Sequence, residues 1–207
     1  MAGLGVASTA QAGLINRGNG MIYDTDRNIT WLADANYAMT SGYNADGLMT
    51  WSAANAWAAS LTIGGFTNWR LPATLQPDAT CSVQSGGASY GNNCTGSELG
   101  HLFYQELGGV AGSSILTTHN ANVNLFSNIG NFSASDYWSS TDYASALDNA
   151  WSFRYINNSQ NFLTKTYSLG GWAVRTGDIA AVPEPGMIWL LLAGGLGWVG
   201  TQARRHG

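Results

Sequence analysis

The chain has 207 residues and a formal net charge of −4, with 10% charged and 45% hydrophobic side chains. That length suits one domain with terminal extras, and the charged share is less than half the usual one. Between residues 13 and 181 no run of Lys or Arg occurs. This excludes a nucleic-acid partner, which needs clustered basic side chains to displace counterions, and it disfavours strongly sulfated polymers.

The place of the missing charges is taken by 27 Gly and by Asn, Ser and Thr, with nine Trp and nine Tyr. Such a surface is neutral, rich in hydroxyl and amide groups, and studded with aromatic rings. Exported bacterial proteins and glycan-handling modules have this composition. Residues 1–12 read as the back end of a secretory signal peptide, because Ala10-Gln11-Ala12 has the small-x-small pattern cut by signal peptidase.

Met21-Ile22-Tyr23-Asp24 and Ile29-Thr30-Trp31-Leu32 read as short strands around a polar turn. Asp24, Asp26 and Asn28 alternate as in some calcium loops, but the sharp-turn Gly and the bidentate Glu are missing. An Asx-type turn is the expectation. Trp51 to Leu61 reads as an amphipathic helix capped by Thr50 and stopped by Gly64-Gly65. The following stretch, Gly64 to Pro72, carries Arg70 between the large apolar side chains of Trp69 and Leu71.

Cys81 and Cys94 flank a polar loop and are the only cysteines. With no neighbouring His they cannot build a zinc site. Free thiols are one reading; in an exported protein a disulfide is expected, worth roughly 3 kcal/mol for a loop this short. Thr95 to Leu107 reads as a second helix, with Thr95 and Glu98 as a capping box and Leu99, Leu102, Phe103 and Leu107 as its apolar stripe. His101 falls off that stripe, with no second His or carboxylate at helical metal spacing. It reads as a solvated or hydrogen-bonded histidine, and neither a metal nor a cofactor is expected.

From Phe126 the pattern changes to period two. Strands are predicted at Tyr137 to Thr141, Trp151 to Tyr155, Phe162 to Lys165 and Trp172 to Arg175. Two helices followed by a mostly antiparallel sheet predict an α+β domain over residues 13–177. Residues 178–184 form a linker. After it, positions 185–203 are 19 uncharged residues, just long enough for a membrane span of about 20. Arg204-Arg205 would stay on the cytoplasmic side.

No catalytic residue is predicted. Ser139-Ser140 sits beside Trp138 in a strand rather than on a nucleophile elbow, and neither His101 nor His119 has a visible orienting partner. Arg70 and Arg175 lie in apolar stretches and read as structural ties to Asp24, Asp34 or Glu98. Trp31, Trp51, Trp57, Trp69, Trp138 and Trp151 fit the core pattern. Tyr90, Tyr143, Tyr155 and Trp172, near loops or sheet ends, are the candidate exposed platforms for a ligand.

Two resemblances add to this reading. The order Pro183-Glu184-Pro185, apolar segment, Arg204-Arg205 resembles the PEP-CTERM sorting signal of Gram-negative exopolysaccharide producers. That resemblance implies export, passage through the membrane by the tail at 185–207, and an exosortase-type sorting protease as partner. The body resembles the Lcl C-terminal domain family through Ile29-Thr30-Trp31, the Trp51 to Leu61 segment, Gly65 to Pro72, Ser97-Glu98-Leu99, Tyr137 to Thr141, Ala150 to Phe153 and Val174-Arg175. It implies a C-type-lectin-like or formylglycine-generating-enzyme-like fold. The Glu-Pro-Asn and Trp-Asn-Asp sets that C-type lectins use for calcium and sugar are absent, as is the formylglycine enzyme's late cysteine pair. Together these imply a non-catalytic protein of the cell envelope, surface or biofilm matrix that binds exopolysaccharide or another neutral glycan. The alternatives are a matrix or adhesion protein acting through protein contacts and, third, an unrecognised glycan hydrolase.

Overall fold

Residues 13–179 are described by the computed structural model. Along them the chain forms Leu14–Gly18 (β1), Met21–Asp24 (β2), Ile29–Leu32 (β3), Tyr37–Thr40 (α1), Leu48–Met49 (β4) and Trp51–Ser60 (α2). Next come Val83–Ser85 (β5), Ala88–Asn92 (β6) and Glu98–His101 (α3), which runs on into a π-helical turn at Leu102–Glu106. A 3₁₀ turn at Ala121–Leu125 precedes Asp136–Asp142 (β7), Asn149–Arg154 (β8), Ser159–Thr164 (β9), Leu169–Gly170 (β10) and Val174–Thr176 (β11). The predicted signal remnant at 1–12 and the sorting tail with Pro183, Glu184, Pro185, Arg204 and Arg205 lie outside the described residues. Among the described residues no helix is long and apolar enough to cross a membrane.

The α+β class holds, with more strand than helix. A four-stranded sheet has the order β1-β2-β3-β11, and a seven-stranded sheet the order β4-β10-β7-β8-β9-β6-β5. All pairings are antiparallel except β10 with β7. The sheets are tied by the stretch around Arg70. Its backbone exchanges two 2.8 Å hydrogen bonds with Val174 of β11, and two residues on the Pro72 carbonyl accepts from the Ser140 amide of β7. One short extended segment thereby touches both sheets, and this fixes the position of its side chains.

Trp31, Trp57, Trp138 and Trp172 are each fully enclosed, with Tyr137, Phe103 and Phe153 among them. Ala54, Trp57 and Ala58 form the buried face of α2, and the Thr50 hydroxyl accepts from the Ala53 amide as an N-cap. Trp51 departs from its predicted place in the core. It is half-buried, donates Nε1–H to the Ser139 carbonyl at 2.8 Å, and lies under the Lys165 ammonium.

The second predicted helix is shorter and starts later. The capping box does not form: the helix is preceded by Ser97 with no side-chain cap, and the Glu98 carboxylate turns away to Arg70. The amide of Thr95 instead donates to the Thr80 hydroxyl. α3 packs hard on the preceding loop, since a Cβ at Gly100 would lie 1.8 Å from the Cys94 carbonyl oxygen. Only glycine permits that approach.

Cys81 and Cys94 are joined in a disulfide that brackets the β5–β6 hairpin. Replacing both by Ser is expected to lower stability by about 3 kcal/mol, as loop-closure entropy predicts. Urea unfolding of the variant beside wild type, with and without reductant, measures it: reductant should destabilise only the wild type.

Candidate functional site

The structure separates the four predicted platform residues into two pairs. Tyr90 and Tyr143 come together beside β8 and β9 of the larger sheet through Phe162, which the sequence showed only as a strand residue. The Tyr143 ring stacks on Phe162 at 4.0 Å and 4°, Tyr90 meets Phe162 edge-on at 6.1 Å, and Trp151 meets both Tyr143 and Phe162 edge-on. Strand register builds the group. Trp151 of β8 is the cross-strand partner of Phe162 of β9, Tyr90 lies on the adjoining β6, and the Tyr143 amide donates to the Asn149 carbonyl just beyond β7. Trp151 is buried, yet it lies beneath these rings instead of joining the main core.

Beside them is a pocket of about 180 Å³, lined in part by Gln76, Thr141, Asp142, Tyr143, Ser145 and Trp151. Lys165 bonds the Asp142 carboxylate and also donates to the Leu147 carbonyl. The charge of the pocket wall is therefore matched in place, the Gln76 amide is bonded to the Ser89 backbone and the Thr141 hydroxyl to the Thr74 backbone. What the pocket offers a ligand is aromatic surface and the Ser145 hydroxyl.

Trp172 and Tyr155 are not platforms. Trp172 has no exposed surface; its Nε1–H donates to the Leu32 carbonyl, and Trp31, Phe126 and Tyr137 surround it at 5.2–5.5 Å. It follows Gly170-Gly171, whose lack of side chains lets Phe132, Trp57 and Met49 close in. Tyr155 is 5% exposed, with its hydroxyl 3.2 and 3.1 Å from the carbonyls of Gly130 and Ala134. Nearness to a sheet end suggested exposure for both, but loop residues cover these ends.

The two arginines divide as well. Arg70 pairs with both oxygens of Glu98 at 2.7 Å, and the same carboxylate accepts the Ala73 amide at 2.7 Å. This is the structural tie expected. Among the described residues Arg175 has no carboxylate partner. Its Nε donates to Asn68 Oδ1 at 3.0 Å, its guanidinium reaches the carbonyls of Gly177 and Asp178, and it stacks over Phe66 at 4.3 Å. Trp69 and Trp138 are buried and donate to the carbonyls of Phe66 and Met49. Asp34 serves the Asn36 amide, the Thr40 hydroxyl and the Asn128 amide group instead of an arginine.

Asp24 holds its Asx turn: Oδ1 accepts from the amides of Asp26 and Arg27, both at 3.0 Å. Its other oxygen has a different neighbourhood. Asp24 Oδ2 lies 3.7 Å from His101 Nε2, which lies 3.3 Å from Glu106 Oε1. All three residues are buried, and neither Oδ2 nor Nε2 has a hydrogen bond of normal geometry. The indole N–H of Trp31 likewise makes no hydrogen bond of normal geometry, but it lies close enough to Asp24 to oppose the effect of burial on that carboxyl. Burial, above all, pushes the Asp24 carboxyl up from its ordinary range; the Arg27 amide and His101 oppose it. Burial, then the charges of Asp24 and Asp26, push Glu106 up to about 7. Burial pushes the His101 imidazole down, against the pull of Asp24.

Sequence reasoning missed this cluster because His101 and Glu106 are five residues apart. That spacing puts side chains on different faces of an α-helix, but the π-helical turn at Leu102–Glu106 brings both to one face. Asp24 arrives from β2, far away in sequence.

No curated protein and no solved structure matches the chain. The model of the Lcl C-terminal domain family matches residues 20–175, from just before β2 into β11, and the chain belongs to that family.

Proposed function

We propose that this is an exported, non-catalytic protein of the cell surface or extracellular matrix whose domain binds a neutral glycan, such as an exopolysaccharide. The observation that carries the reading is the partly exposed aromatic group of Tyr143, Phe162 and Tyr90 beside a small pocket where Ser145 presents a hydroxyl. An aromatic face next to hydrogen-bonding groups suits the alternating apolar and hydroxyl surfaces of a sugar ring. Membership of a family of extracellular-type domains supports export, as does the resemblance of residues 183–205 to a sorting signal read by an exosortase-type protease. A C-type-lectin-like fold is the finer assignment that accompanies this reading.

The test is retention on a panel of neutral and acidic polysaccharides. Wild-type chain should be retained on a neutral polymer, and Tyr143→Ala should weaken that binding about tenfold, a loss of about 1.4 kcal/mol, with the fold unchanged by circular dichroism. Absence of retention on every polymer would overturn the proposal.

That result would favour a second reading, a matrix or adhesion protein acting through protein contacts. Leu147 and Tyr167 support it. They are 68% and 57% exposed, and they flank Lys165 at the same margin of the domain. Aromatic and aliphatic groups of this kind anchor protein interfaces.

A further inference from the structure

The buried trio of Asp24, His101 and Glu106 has no role in the glycan reading, and it is too costly to be accidental. Two carboxylates and an imidazole, contributed by β2, α3 and the π-helical turn, converge with one ligand atom each inside a 4.8 Å cluster. Buried carboxylates that face each other raise the free energy of the fold unless something positive lies between them. Arg27, whose amide binds Asp24, spends its guanidinium on the Thr95 carbonyl. A protonated His101 could supply charge, but its Nε2 makes no hydrogen bond of normal geometry to either carboxylate. Asp24 has no exposed surface, and its free Oδ2 faces the same point.

We propose that Asp24, His101 and Glu106 form a binding site for a first-row divalent metal ion of the Zn²⁺ class. Metal–ligand bonds of about 2.0–2.2 Å set neighbouring tetrahedral ligand atoms about 3.4 Å apart. The separations of 3.3 Å for His101–Glu106 and 3.7 Å for His101–Asp24 bracket that value. An ion seated there also cancels the two carboxylate charges and gives both orphaned atoms, Oδ2 and Nε2, a partner. Calcium is a poor fit, since it takes roughly six to eight oxygen ligands and no imidazole; imidazole with carboxylate suits zinc and its neighbours.

Three protein ligands leave a fourth position. Glu106 Oε1 faces His101, while a Cβ at Gly13 would come within 3.4 Å of Oε2. Glu106 thus stands at the wall of a polar cleft of about 470 Å³ lined also by Asp26, Gln105, Asn120 and Asn122. The metal reaches solvent from that side, so water or another oxygen ligand completes its shell. This site stands independently of the aromatic pocket, and either can fail alone.

The test is calorimetric titration of the full chain with ZnCl₂ after dialysis against EDTA, paired with the visible spectrum on adding Co²⁺. Wild type should take one equivalent and give the intense bands of four-coordinate cobalt. Glu106→Gln and His101→Gln should each weaken zinc binding by at least about 100-fold, while His119→Gln leaves it unchanged. Should the first two variants fail to fold, imidazole ¹H–¹⁵N spectra of wild type decide instead: one equivalent of Zn²⁺ must shift the His101 Nε2 signal. Overturning results are no uptake at millimolar zinc, equal binding by the folded variants, or unmoved His101 signals.

Discussion

Replacing Trp172 with alanine is expected to cost about 4 kcal/mol, a large part of the stability of an ordinary domain. The side chain is wholly enclosed, so its removal forfeits both the transfer of an indole out of water and the dispersion contacts around it. The loss is spread over both sheets. Trp31 belongs to β3, Tyr137 to β7 and Phe103 to the π-helical turn, and all pack on this ring. The Leu32 carbonyl would also lose its indole donor. Trp172→Phe keeps most of the volume and should cost about half as much. Equilibrium unfolding in urea checks the order, with an unchanged slope confirming that the native state is the one perturbed.

Glu98→Ala should be nearly as damaging, at about 3–4 kcal/mol. It removes both carboxylate bonds to Arg70 and leaves the Ala73 amide without its acceptor. Breaking a buried pair from one side costs about 3–5 kcal/mol, because the other charge is stranded. Arg70 keeps 35% of its side chain exposed, so water relieves part of the penalty and the lower end of that range applies. Arg70→Lys retains the charge but cannot span both oxygens, and about 1–2 kcal/mol is expected for it. A double-mutant cycle on Arg70 and Glu98, again by urea unfolding, isolates their coupling.

These two sites show what could and could not be read from residue order. Arg70 stands out because a charge set between Trp69 and Leu71 must have a partner nearby, and Glu98 was among the three carboxylates expected. Trp172 was misread. Local pattern placed it at a sheet end, but its burial is decided by residues such as Trp31 and Phe126, which arrive from elsewhere in the chain. The hairpin of β5 and β6 inside the disulfide loop carries mostly polar residues and gives no hydrophobic alternation to detect. The capping box failed for a similar reason: Thr95-x-x-Glu98 has the right spacing, but a guanidinium is a stronger partner for a carboxylate than a backbone amide. In the buried acid–imidazole cluster, the informative separation was five residues, a periodicity that helix reading does not search.

The margins of the two sheets have a consequence for how this protein survives at high local concentration. Its outermost strands on the larger sheet are two and three residues long, and the longer of them is clasped by the disulfide hairpin. On the smaller sheet, β1 is broken by a bulge between Asn16 and Gly18, where Arg17 is anchored to Asp178. Stubby, kinked or clasped borders offer a neighbouring molecule no straight template on which to polymerise. In a polypeptide with so little electrostatic repulsion, resistance to fibril formation rests on those borders.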